Sequence, residues 1–440
     1  MASALRVAVI GSGPAGIYAA DALVKSDVDV SVDILERDPA PYGLIRYGVA
    51  PDHPRIKDII KALRKTVSHP DIRFLGNVCY GVDLKLEDLR HFYDAVVFAT
   101  GARSDKALDI PGIDLPGSYG AADFVSWYDG HPDVPREWPL TAESVAVLGA
   151  GNVALDVARV LAKTADELST TEIPDNVLEG IKANRATDVH IFARRGPAQV
   201  KFTPMELREL GDSPNVDVIV HPEGFELDDG SMEAIRATKS VKLVVDRLQN
   251  YVASEPDGKP HRLHIHFCQS PVEVLGDEHV TGLRTERTEL VGDGSVRGTG
   301  EYIDWDVQAV YRAVGYLSTP LADVPFDHRK GTVPNDGGRV LDLDGDALTG
   351  TYVTGWIKRG PVGLIGHTKS DAAETVARLL DDLASLDAPE HPSPEAVTAH
   401  LAERGVEYTT WEGWEKLDAH EIALGEAEGR ERKKVVPRDD

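Results

Sequence analysis

Residues 6–36 read RVAVIGSGPAGIYAADALVKSDVDVSVDILE, and this stretch decides the fold. It begins with a continuous apolar run at 6–10, which is typical of a strand buried in a parallel sheet. A glycine-rich turn follows, then a helical pattern through Ile17, Ala20 and Leu23, then a second strand that ends at Glu36. A strand, a helix and a strand within about 30 residues predict a βαβ unit.

The turn in this unit is Gly11-Ser12-Gly13-Pro14-Ala15-Gly16. In a dinucleotide-binding turn Gly11 permits the sharp bend, Gly13 lets a pyrophosphate approach the backbone, and Gly16 lets the helix pack against the strand. The helix N-terminus then offers N–H groups to the phosphates. Glu36 follows Gly16 by about 20 residues, where a carboxylate can bind ribose hydroxyls. A plain turn is the alternative, but strand, helix and acid in register favour dinucleotide binding.

A second copy of the pattern follows the apolar strand SVAVLG, residues 144–149. Its turn is Gly149-Ala150-Gly151-Asn152-Val153-Ala154, its helix is predicted over 152–162, and its partner strand is DVHIFA at 188–193. That strand leads into Arg194 and Arg195, whose guanidinium groups can clamp a 2′-phosphate that a carboxylate would repel. The pattern therefore favours NADP over NAD, with a solvated basic pair as the alternative. The stretch 163–186 is predicted to be a helical insertion.

A third glycine-rich segment is GWIKRGPVGLIG, residues 355–366, after a strand predicted at 352–356 and before a helix predicted at about 366–384. Its glycines would let backbone N–H groups approach a flat ring system, and Trp356 could stack on such a ring, although packing alone would also explain a tryptophan here. Elsewhere we expect a helix at 231–250, antiparallel strands within 261–315, a loop at 387–396 and a charged terminal tail.

Composition narrows the function classes. The chain has 440 residues and a net charge of −26, so nucleic acid and anionic membrane surfaces would repel it. Cys79 and Cys268 form no Cys-x-x-Cys motif, which excludes a redox dithiol and cysteine-held clusters or zinc, and no metal site is expected. No apolar run approaches the roughly 20 residues that span a bilayer. We expect no leader peptide, no stable membrane insertion and a cytoplasmic location.

Taken together, the motifs resemble the adrenodoxin reductase family, which includes similar bacterial ferredoxin–NADP reductases. The segments that carry the resemblance are GSGPAG (11–16), YGLIRYGVAPDHP (42–54), GNVALDVAR (151–159), RRGPAQ (194–199), ELREL (206–210) and GWIKRGPVGLIG (355–366). The resemblance covers nearly the whole chain. It implies an α/β fold with two Rossmann-like dinucleotide-binding domains of the glutathione reductase-like flavoprotein class. It also implies an FAD-binding domain made of 1–107 and 320–440, with an NADP-binding domain, 108–319, inserted between them.

The resemblance further implies a ferredoxin–NADP(+) reductase, in which hydride passes from NADPH to FAD and single electrons then pass to ferredoxin or a similar iron–sulfur protein. The FAD contacts it implies are Ala15, Gly16, Glu36, Leu44, Tyr80, Trp356 and the turn Gly363, Leu364 and Ile365. The NADP contacts it implies are Asn152, Val153, Ala154, Leu155, Arg194, Arg195, Glu206 and Gly363. Lys106 stands where relatives carry an arginine near FAD. His53, Asp156 and Glu209 are the catalytic candidates, against alternatives as a turn histidine, a helix-dipole partner and an exposed helix residue.

Several alternatives stay open. The same flavoenzyme could reduce flavodoxin or a quinone, or the chain could be a non-catalytic FAD/NADP redox sensor. The small subunit of glutamate synthase shares the folds, but it brings an N-terminal cysteine-rich segment, and thioredoxin reductases need a Cys-x-x-Cys motif. An acidic iron–sulfur partner would need a local basic patch. The candidates for that patch are Arg208, Arg236, Lys239, Lys242, Arg247, Lys57, Lys61 and Arg64, and positions 236, 239 and 242 are predicted to share one helical face.

Overall fold

The computed structural model describes residues 4–362 and 365–436. Within them the chain forms two compact units. The first comprises 4–49, 53–104 and the described part of 316–424, and the second comprises 50–52, 105–315 and 425–436. The limits near 104 and 315 lie a few residues from the divisions expected at 107 and 319. The terminal segment 425–436 belongs to the second unit, whereas the sequence analysis grouped it with the first.

The first unit is built on an eight-stranded sheet. In spatial order its strands are Asn335–Asp336, Arg339–Leu341, Ala347–Val353, Ala95–Phe98, Leu5–Ile10, Val30–Glu36, Ile72–Gly76 and Thr409–Thr410. The five central strands are parallel, and the outer pairings are antiparallel. The central strand Leu5–Ile10 therefore pairs with Val30–Glu36 on one side. On the other side it pairs with Ala95–Phe98, which in turn pairs with the late-sequence strand Ala347–Val353.

Both faces of this sheet are buried, which explains the continuous apolar run at its centre. Val7 and Val9 point to one face and pack with residues of helices Pro14–Val24 and Ile365–Asp381. Ala8 and Ile10 point to the other face and pack with the helix Leu86–Phe92. The remaining helices of this unit are Leu44–Tyr47, Pro54–Lys57, Ile59–Val67, Trp356–Arg359, Pro394–Glu403 and Trp411–Ala427, the last of which ends in the second unit, with a 3₁₀ turn at Leu383–Ser385.

The second unit is built on a six-stranded parallel sheet. In spatial order its strands are Ser118–Gly120, Ala309–Arg312, Ser144–Leu148, Asp188–Phe192, His261–His266 and Val216–Val220. Val145 and Val147 face the larger apolar core. Ala146 and Leu148 face a smaller core completed by a three-stranded antiparallel sheet, Gln269–Leu275, Gly282–Leu290 and Val296–Trp305. Two short strands, Ser104–Asp105 and Tyr316–Leu317, occupy the sequence positions where the chain leaves and re-enters the first unit.

The helices of the second unit are Ala121–Tyr128, Asn152–Ala162, Ala165–Leu168, Asp175–Lys182, Pro204–Leu210, Asp229–Ala237 and Lys239–Ala253, with a 3₁₀ turn at Pro197–Gln199. The helical insertion predicted at 163–186 is therefore present as two short helices. No helix within 4–362 and 365–436 is long and apolar enough to cross a membrane.

Four local predictions are wrong. The strands His261–His266 and Ala309–Arg312 are parallel to their neighbours rather than antiparallel. The helix predicted at 231–250 is interrupted at Thr238, whose φ of −133° and ψ of 113° are those of extended backbone. Arg236 therefore belongs to a different helix from Lys239 and Lys242, and the three do not share one helical face. The strand predicted at 352–356 ends at Val353, because Gly355 has a φ of 77° that no strand residue adopts.

Candidate functional site

The first glycine turn is shaped by three glycines that meet different surroundings. A Cβ on Gly11 would lie 2.6 Å from the carbonyl oxygen of Ala99, and its φ is +108°. A Cβ on Gly16 would lie 2.0 Å from the carbonyl oxygen of Gly11. Both positions therefore require glycine for the bend and for the close approach of the helix. A Cβ on Gly13 would meet no atom within 4 Å, so the middle of the turn is open.

The helix Pro14–Val24 begins at this opening, with Gly13 as its N-cap and proline in its first turn. Among the described residues no side chain caps it. The first N–H groups of a helix have no partner within the helix, so the N–H groups of Ala15 and Gly16 are available at the turn. This is the arrangement with which Rossmann-like folds bind a pyrophosphate.

Two other segments of the first unit contact the same turn. The N–H of Tyr42 donates to the carbonyl oxygen of Ser12 at 3.0 Å, and a Cβ on Gly43 would lie 3.1 Å from the Cα of Gly13. This contact places Leu44, which is half-buried, beside the turn. On the other side, a Cβ on Gly355 would lie 2.6 Å from the Cβ of Ala15, which places Trp356 there as well.

An aspartate of the following helix holds the segment around Gly355. Asp371 accepts a hydrogen bond from the N–H of Gly355 at 2.6 Å and forms an ion pair with Lys358 at 3.0 Å. Gly363 and Leu364 lie outside the described residues. Ile365 is the first residue of the helix Ile365–Asp381. The glycine-rich segment therefore joins a buried strand to a long helix, as the sequence predicts.

Glu36 lies at the end of its strand and is 3% exposed. Its Oε2 accepts hydrogen bonds from the N–H and the hydroxyl of Ser12, at 2.8 and 2.7 Å. The guanidinium of Arg103 lies 3.7 Å from the other carboxylate oxygen and 2.7 Å from Asp38. Burial lowers the pKa of Arg103, but Asp38 and Glu36 outweigh it and raise that pKa above its ordinary value. Glu36 thus braces the glycine turn as well as standing where a ribose would be expected.

Tyr80 and Lys106 are two further predicted FAD contacts. Among the described residues, no hydrogen bond or ring contact links either of them to this turn. The Tyr80 hydroxyl donates to the carbonyl oxygen of Ala322 at 2.6 Å, and its ring contacts Phe98 edge-on at 4.9 Å. Burial raises the pKa of Tyr80. Lys106 has an exposed side chain, and its N–H donates to Gly315 at 2.8 Å.

The second glycine turn repeats the arrangement of the first. A Cβ on Gly149 would lie 2.2 Å from the carbonyl oxygen of Ala313, and its φ is +147°. A Cβ on Gly151 would meet no atom within 4 Å. The helix Asn152–Ala162 begins there, and no side chain of the described residues caps it. Ala154, in the third glycine position, is fully buried.

Residues after this turn remain open to a ligand on one side. Asn152 and Val153 are half-buried, whereas Leu155 is fully buried and packs in the core of the second unit. The Asn152 side chain accepts a hydrogen bond from the N–H of Thr203 at 2.9 Å. That bond holds the start of the helix Pro204–Leu210, which carries Glu206 and Glu209, against the turn.

Arg194 and Arg195 follow the strand Asp188–Phe192 directly. Their backbone is anchored, because Thr288 donates to the carbonyl oxygen of Arg194 at 2.7 Å and the N–H of Cys268 donates to that of Arg195 at 3.2 Å. Arg194 is exposed and Arg195 is half-buried. Neither guanidinium forms an ion pair with any residue in the described parts of the chain. Both are therefore available to an anionic ligand.

Asp156 belongs to a buried ion-pair cluster around Arg159. The guanidinium of Arg159 donates to Asp156 at 2.9 Å and to Asp52 at 2.8 and 2.9 Å, and it lies 3.6 Å from Glu206. Burial lowers the pKa of Arg159, but Asp52 and Asp156 outweigh it and raise that pKa well above its usual range. Lys163 adds a further ion pair to Asp52 at 2.8 Å. The cluster fixes the segment that immediately precedes His53.

The sequence analysis missed Arg159 and Asp52 as positioning residues. The spacing of Asp156 and Arg159, three apart on one helix, was a readable signal. Their link to Asp52 had no local signal, because it joins residues far apart in the chain. His53 itself is buried and occupies the N-cap position of the short helix Pro54–Lys57. Glu209 is half-buried on its helix.

Comparison with known proteins agrees with this geometry. Residues 5–191 match the family model described as pyridine nucleotide-disulphide oxidoreductase. NADPH-ferredoxin reductase FprA of Mycobacterium tuberculosis is 43% identical over 447 residues, covering 98% of this chain and 96% of that protein. The mitochondrial NADPH:adrenodoxin oxidoreductase of Bos taurus is 38% identical over 451 residues, covering 98% of this chain and 90% of that protein.

The fold is also shared with a solved structure. Mycobacterium tuberculosis FprA in complex with NADPH superposes with a TM-score of 0.90 at 41% identity, covering 99% of this chain and 98% of that chain. The expected fold class and the resemblance drawn from the motifs are both confirmed. The chain belongs to the family of the NADPH-ferredoxin reductases and NADPH:adrenodoxin oxidoreductases.

Proposed function

We propose that this protein is an FAD-dependent NADPH:ferredoxin oxidoreductase. It takes hydride from NADPH and passes single electrons to a ferredoxin-type iron–sulfur protein. The relatives that carry the corresponding names align with this chain over 96% and 90% of their own length. We also propose a cytoplasmic location, which the two unpaired cysteines, Cys79 and Cys268, favour.

The observation that carries the proposal is the repeated open glycine. In both units the flanking glycine of the turn would collide with a carbonyl oxygen if it carried a Cβ, whereas the middle glycine faces empty space. Each opening adjoins the N-terminus of an 11-residue helix whose first N–H groups no side chain of the described chain caps. Two such openings in one chain fit two dinucleotides, one in each unit.

We assign FAD to the first unit. Gly11, Gly13, Ala15 and Gly16 would hold its pyrophosphate, and Glu36 its ribose. Leu44 and Trp356 would lie beside the bound FAD, because the segments that carry them both contact the glycine turn. Tyr80, Lys106, Gly363, Leu364 and Ile365 stay proposed contacts on the strength of the family resemblance alone. When bound, FAD supplies a centre that accepts two electrons together and releases them one at a time.

We assign NADPH to the second unit. Its pyrophosphate would meet Gly149, Gly151 and the helix start Asn152–Leu155, with Glu206 close by. Arg194 and Arg195 would bind the 2′-phosphate, since their side chains are accessible and form no ion pair with described residues. Cationic side chains at this strand end favour the phosphorylated nucleotide over NAD.

His53, Asp156 and Glu209 are proposed to align the reactants rather than to form covalent bonds with them, because hydride transfer requires alignment. Asp156 is supported in that role by its ion pair with Arg159. Arg159 and Lys163 act through Asp52, which precedes His53 in the chain, and they are therefore positioning residues.

Some of the cationic residues expected to bind an acidic iron–sulfur partner are buried or already form ion pairs. Lys57 is buried, Lys61 and Lys242 form ion pairs with Asp58 and Asp246, and Arg64 pairs with Glu415 and Asp418. Arg208, Arg236 and Lys239 are exposed and form no ion pair with other described residues. Because cations without an ion pair attract an acidic partner more strongly than neutralised ones, we propose these three residues for docking. Arg247, which is half-buried, is proposed as a weaker contributor.

The test is an anaerobic titration of the purified yellow protein with NADPH, followed by ferredoxin and cytochrome c. Loss of flavin absorbance with NADPH, and cytochrome reduction that depends on ferredoxin, are expected. Loss of absorbance without ferredoxin dependence would point instead to flavodoxin or a quinone as acceptor. A protein without flavin, or one whose flavin never responds to NADPH, would refute the proposal, and a sensor would show no multiple-turnover oxidation of NADPH.

The assignment of the arginine pair has its own test. Arg194→Ala combined with Arg195→Ala should weaken NADPH binding far more than NADH binding. Arg297→Ala is the matched control, because Arg297 is an exposed arginine of the same unit that pairs with Glu289. Equal loss of affinity for both nucleotides, or no loss for either, would contradict a 2′-phosphate clamp.

A further inference from the structure

Four histidines lie together on one face of the parallel sheet in the second unit. Asp188 and His190 alternate along one strand, and the neighbouring strand carries Arg262 and His264 directly opposite them. Because side chains two apart on a strand share a face, these four residues form a square on the sheet. His266 is the last residue of its strand and His221 directly follows the strand Val216–Val220, and both continue the array.

The rings are stacked and joined by hydrogen bonds. His264 stacks on His190 with ring centroids 4.3 Å apart, and His221 stacks on His266 at the same distance. His190 Nδ1 and His266 Nε2 are 3.0 Å apart, and His221 Nε2 and His264 Nδ1 are 3.1 Å apart. Trp305 contacts His266 at 4.5 Å and closes one side of the array.

The position of the protons follows from Asp188. An ionised carboxylate only accepts hydrogen bonds, so His264 donates from Nε2 to Asp188 at 3.0 Å. Neutral His264 then accepts at Nδ1 from the Nε2–H of His221. The hydrogen bonds of the array therefore fix which ring nitrogens of His264 and His221 carry a proton.

We propose that Asp188, His190 and His264 form a binding site for a divalent transition-metal ion of the zinc class. One ligand atom from each lies within 4.8 Å of the others. Two ligands come from alternate positions of one strand and the third from the register position on the adjacent strand, so the backbone brings the three side chains together. Because the rings of His190 and His264 stack face to face, one ring must turn before both can direct a nitrogen at the same ion. Two imidazoles and a carboxylate suit Zn²⁺ and related ions, which replace the proton between His264 and Asp188.

The remaining residues of the array act around the ligands. With the metal on Nε2, His264 takes its proton on Nδ1 and donates it to His221, which orients the ring as an outer hydrogen-bond partner does at established metal sites. His266 holds His190 in the same way. The sequence analysis expected no metal site because it considered only cysteine ligands. The ligands proposed here are two histidines and one aspartate.

Arg262 is the competitor for this site. It donates to both oxygens of Asp188, at 2.6 and 2.5 Å, and its side chain is 42% exposed. A metal ion must displace it from one oxygen, which is feasible because the guanidinium can turn into water without becoming a buried charge. Arg262 therefore weakens metal binding, and its removal frees the carboxylate and takes away a repelling cation.

The test uses the flavin-containing protein after treatment with a chelator and its removal. Titration with Co²⁺ should give visible bands for one ion per chain, and Zn²⁺ should remove them and raise the melting temperature. Asp188→Asn, His190→Asn and His264→Asn should each weaken binding on the order of tenfold or more. Arg262→Ala should tighten it. His91→Asn removes a half-exposed histidine that pairs with Glu390, and it should leave binding unchanged.

Each outcome decides the proposal. Binding of one ion that the three ligand variants weaken and Arg262→Ala strengthens establishes the site. Sub-stoichiometric binding, binding that survives all three ligand variants, or binding that Arg262→Ala leaves unchanged overturns it. Circular dichroism identifies a ligand variant that fails to fold, and Arg262→Ala keeps the test decisive because it predicts a gain. Electron transfer is not the readout, so failure here is separate from failure of the proposed function.

Discussion

The two open glycines predict that nucleotide binding can be separated from folding. Gly13→Ala and Gly151→Ala each place a Cβ where no protein atom lies within 4 Å. Their φ values, −69° and −117°, are ones that alanine adopts without strain. We expect both variants to fold, and each to lose affinity for the nucleotide of its own unit, because the new methyl group occupies the space proposed for a phosphate.

The expected change in stability is small because two effects cancel. Alanine restricts the unfolded chain, which stabilises by about 0.4–1 kcal/mol. Alanine is also a poorer N-cap than glycine, which costs about 0.5–1 kcal/mol. Gly149→Ala is the matched control, since its φ of +147° and a Cβ 2.2 Å from a carbonyl oxygen strain the backbone itself. Overpacking of that kind costs about 1–3 kcal/mol.

The assay combines urea unfolding, flavin content and calorimetric titration with NADP⁺. Gly151→Ala should keep its flavin and lose NADP⁺ affinity by about tenfold or more, equivalent to at least about 1.4 kcal/mol. Gly13→Ala should contain less flavin at an unchanged unfolding midpoint. If Gly151→Ala binds NADP⁺ like the parent, or is as unstable as Gly149→Ala, the reasoning from the open turns is refuted.

Three further predictions concern buried ionisable side chains. Because burial keeps His190 and His266 neutral while unfolded histidines protonate near pH 6.5, stability should fall as pH drops below 6.5, by about 1.4 kcal/mol per pH unit for each; urea unfolding at pH 7.5 and 5.5 measures this. Arg46 and Glu421 form an ion pair whose side chains are 3% and 0% exposed. Glu421→Gln removes the negative charge and should lower the free energy of unfolding in urea by about 3–5 kcal/mol, with easier loss of flavin. Lys434→Met should release the terminal segment, because the Lys434 ammonium lies 2.7 Å from Glu172; limited proteolysis with mass spectrometry would detect earlier cleavage after residue 424.

Each of these has a control. His266→Phe retains a stacked ring without a titrating nitrogen and should reduce the acid sensitivity, and an unchanged slope would argue against the assignment. Lys61→Met and Lys25→Met remove exposed ion pairs and should change stability by less than about 1 kcal/mol. A buried variant that behaves like these exposed ones would show that its charge pair contributes little.

The parts of the fold that were predictable from the sequence depend on local constraints. The bend at Gly11 and the close approach at Gly16 need glycine for steric reasons, so the motif reports its own geometry. The helix predicted at 152–162 is observed as Asn152–Ala162, since its apolar spacing matches its burial. Arg194 and Arg195 follow a strand, as predicted, because the segment before them supplies Val189, Ile191 and Phe192 as buried apolar residues.

The parts that were not predictable depend on distant partners. The strand His261–His266 alternates polar and apolar residues, a pattern typical of antiparallel sheets, yet it is parallel to both neighbours. Its polar face consists of histidines that stack with histidines from neighbouring segments. Thr238 interrupts a helical pattern that continues past it in the sequence. Asp52 is joined to Arg159 across more than a hundred residues, which no spacing rule reports.

The order of strands in the first sheet has a consequence for synthesis. Ala95–Phe98 pairs with Ala347–Val353, which leaves the ribosome about 250 residues later, a delay of about 12–50 s at ordinary translation rates. The inserted unit is largely complete before that strand is made. The amino-terminal half-sheet must wait with an unpaired edge, which is exposed to misassociation. We therefore expect flavin loading only in nearly finished chains, and a nascent chain stopped before residue 347 should bind NADP⁺ but no flavin.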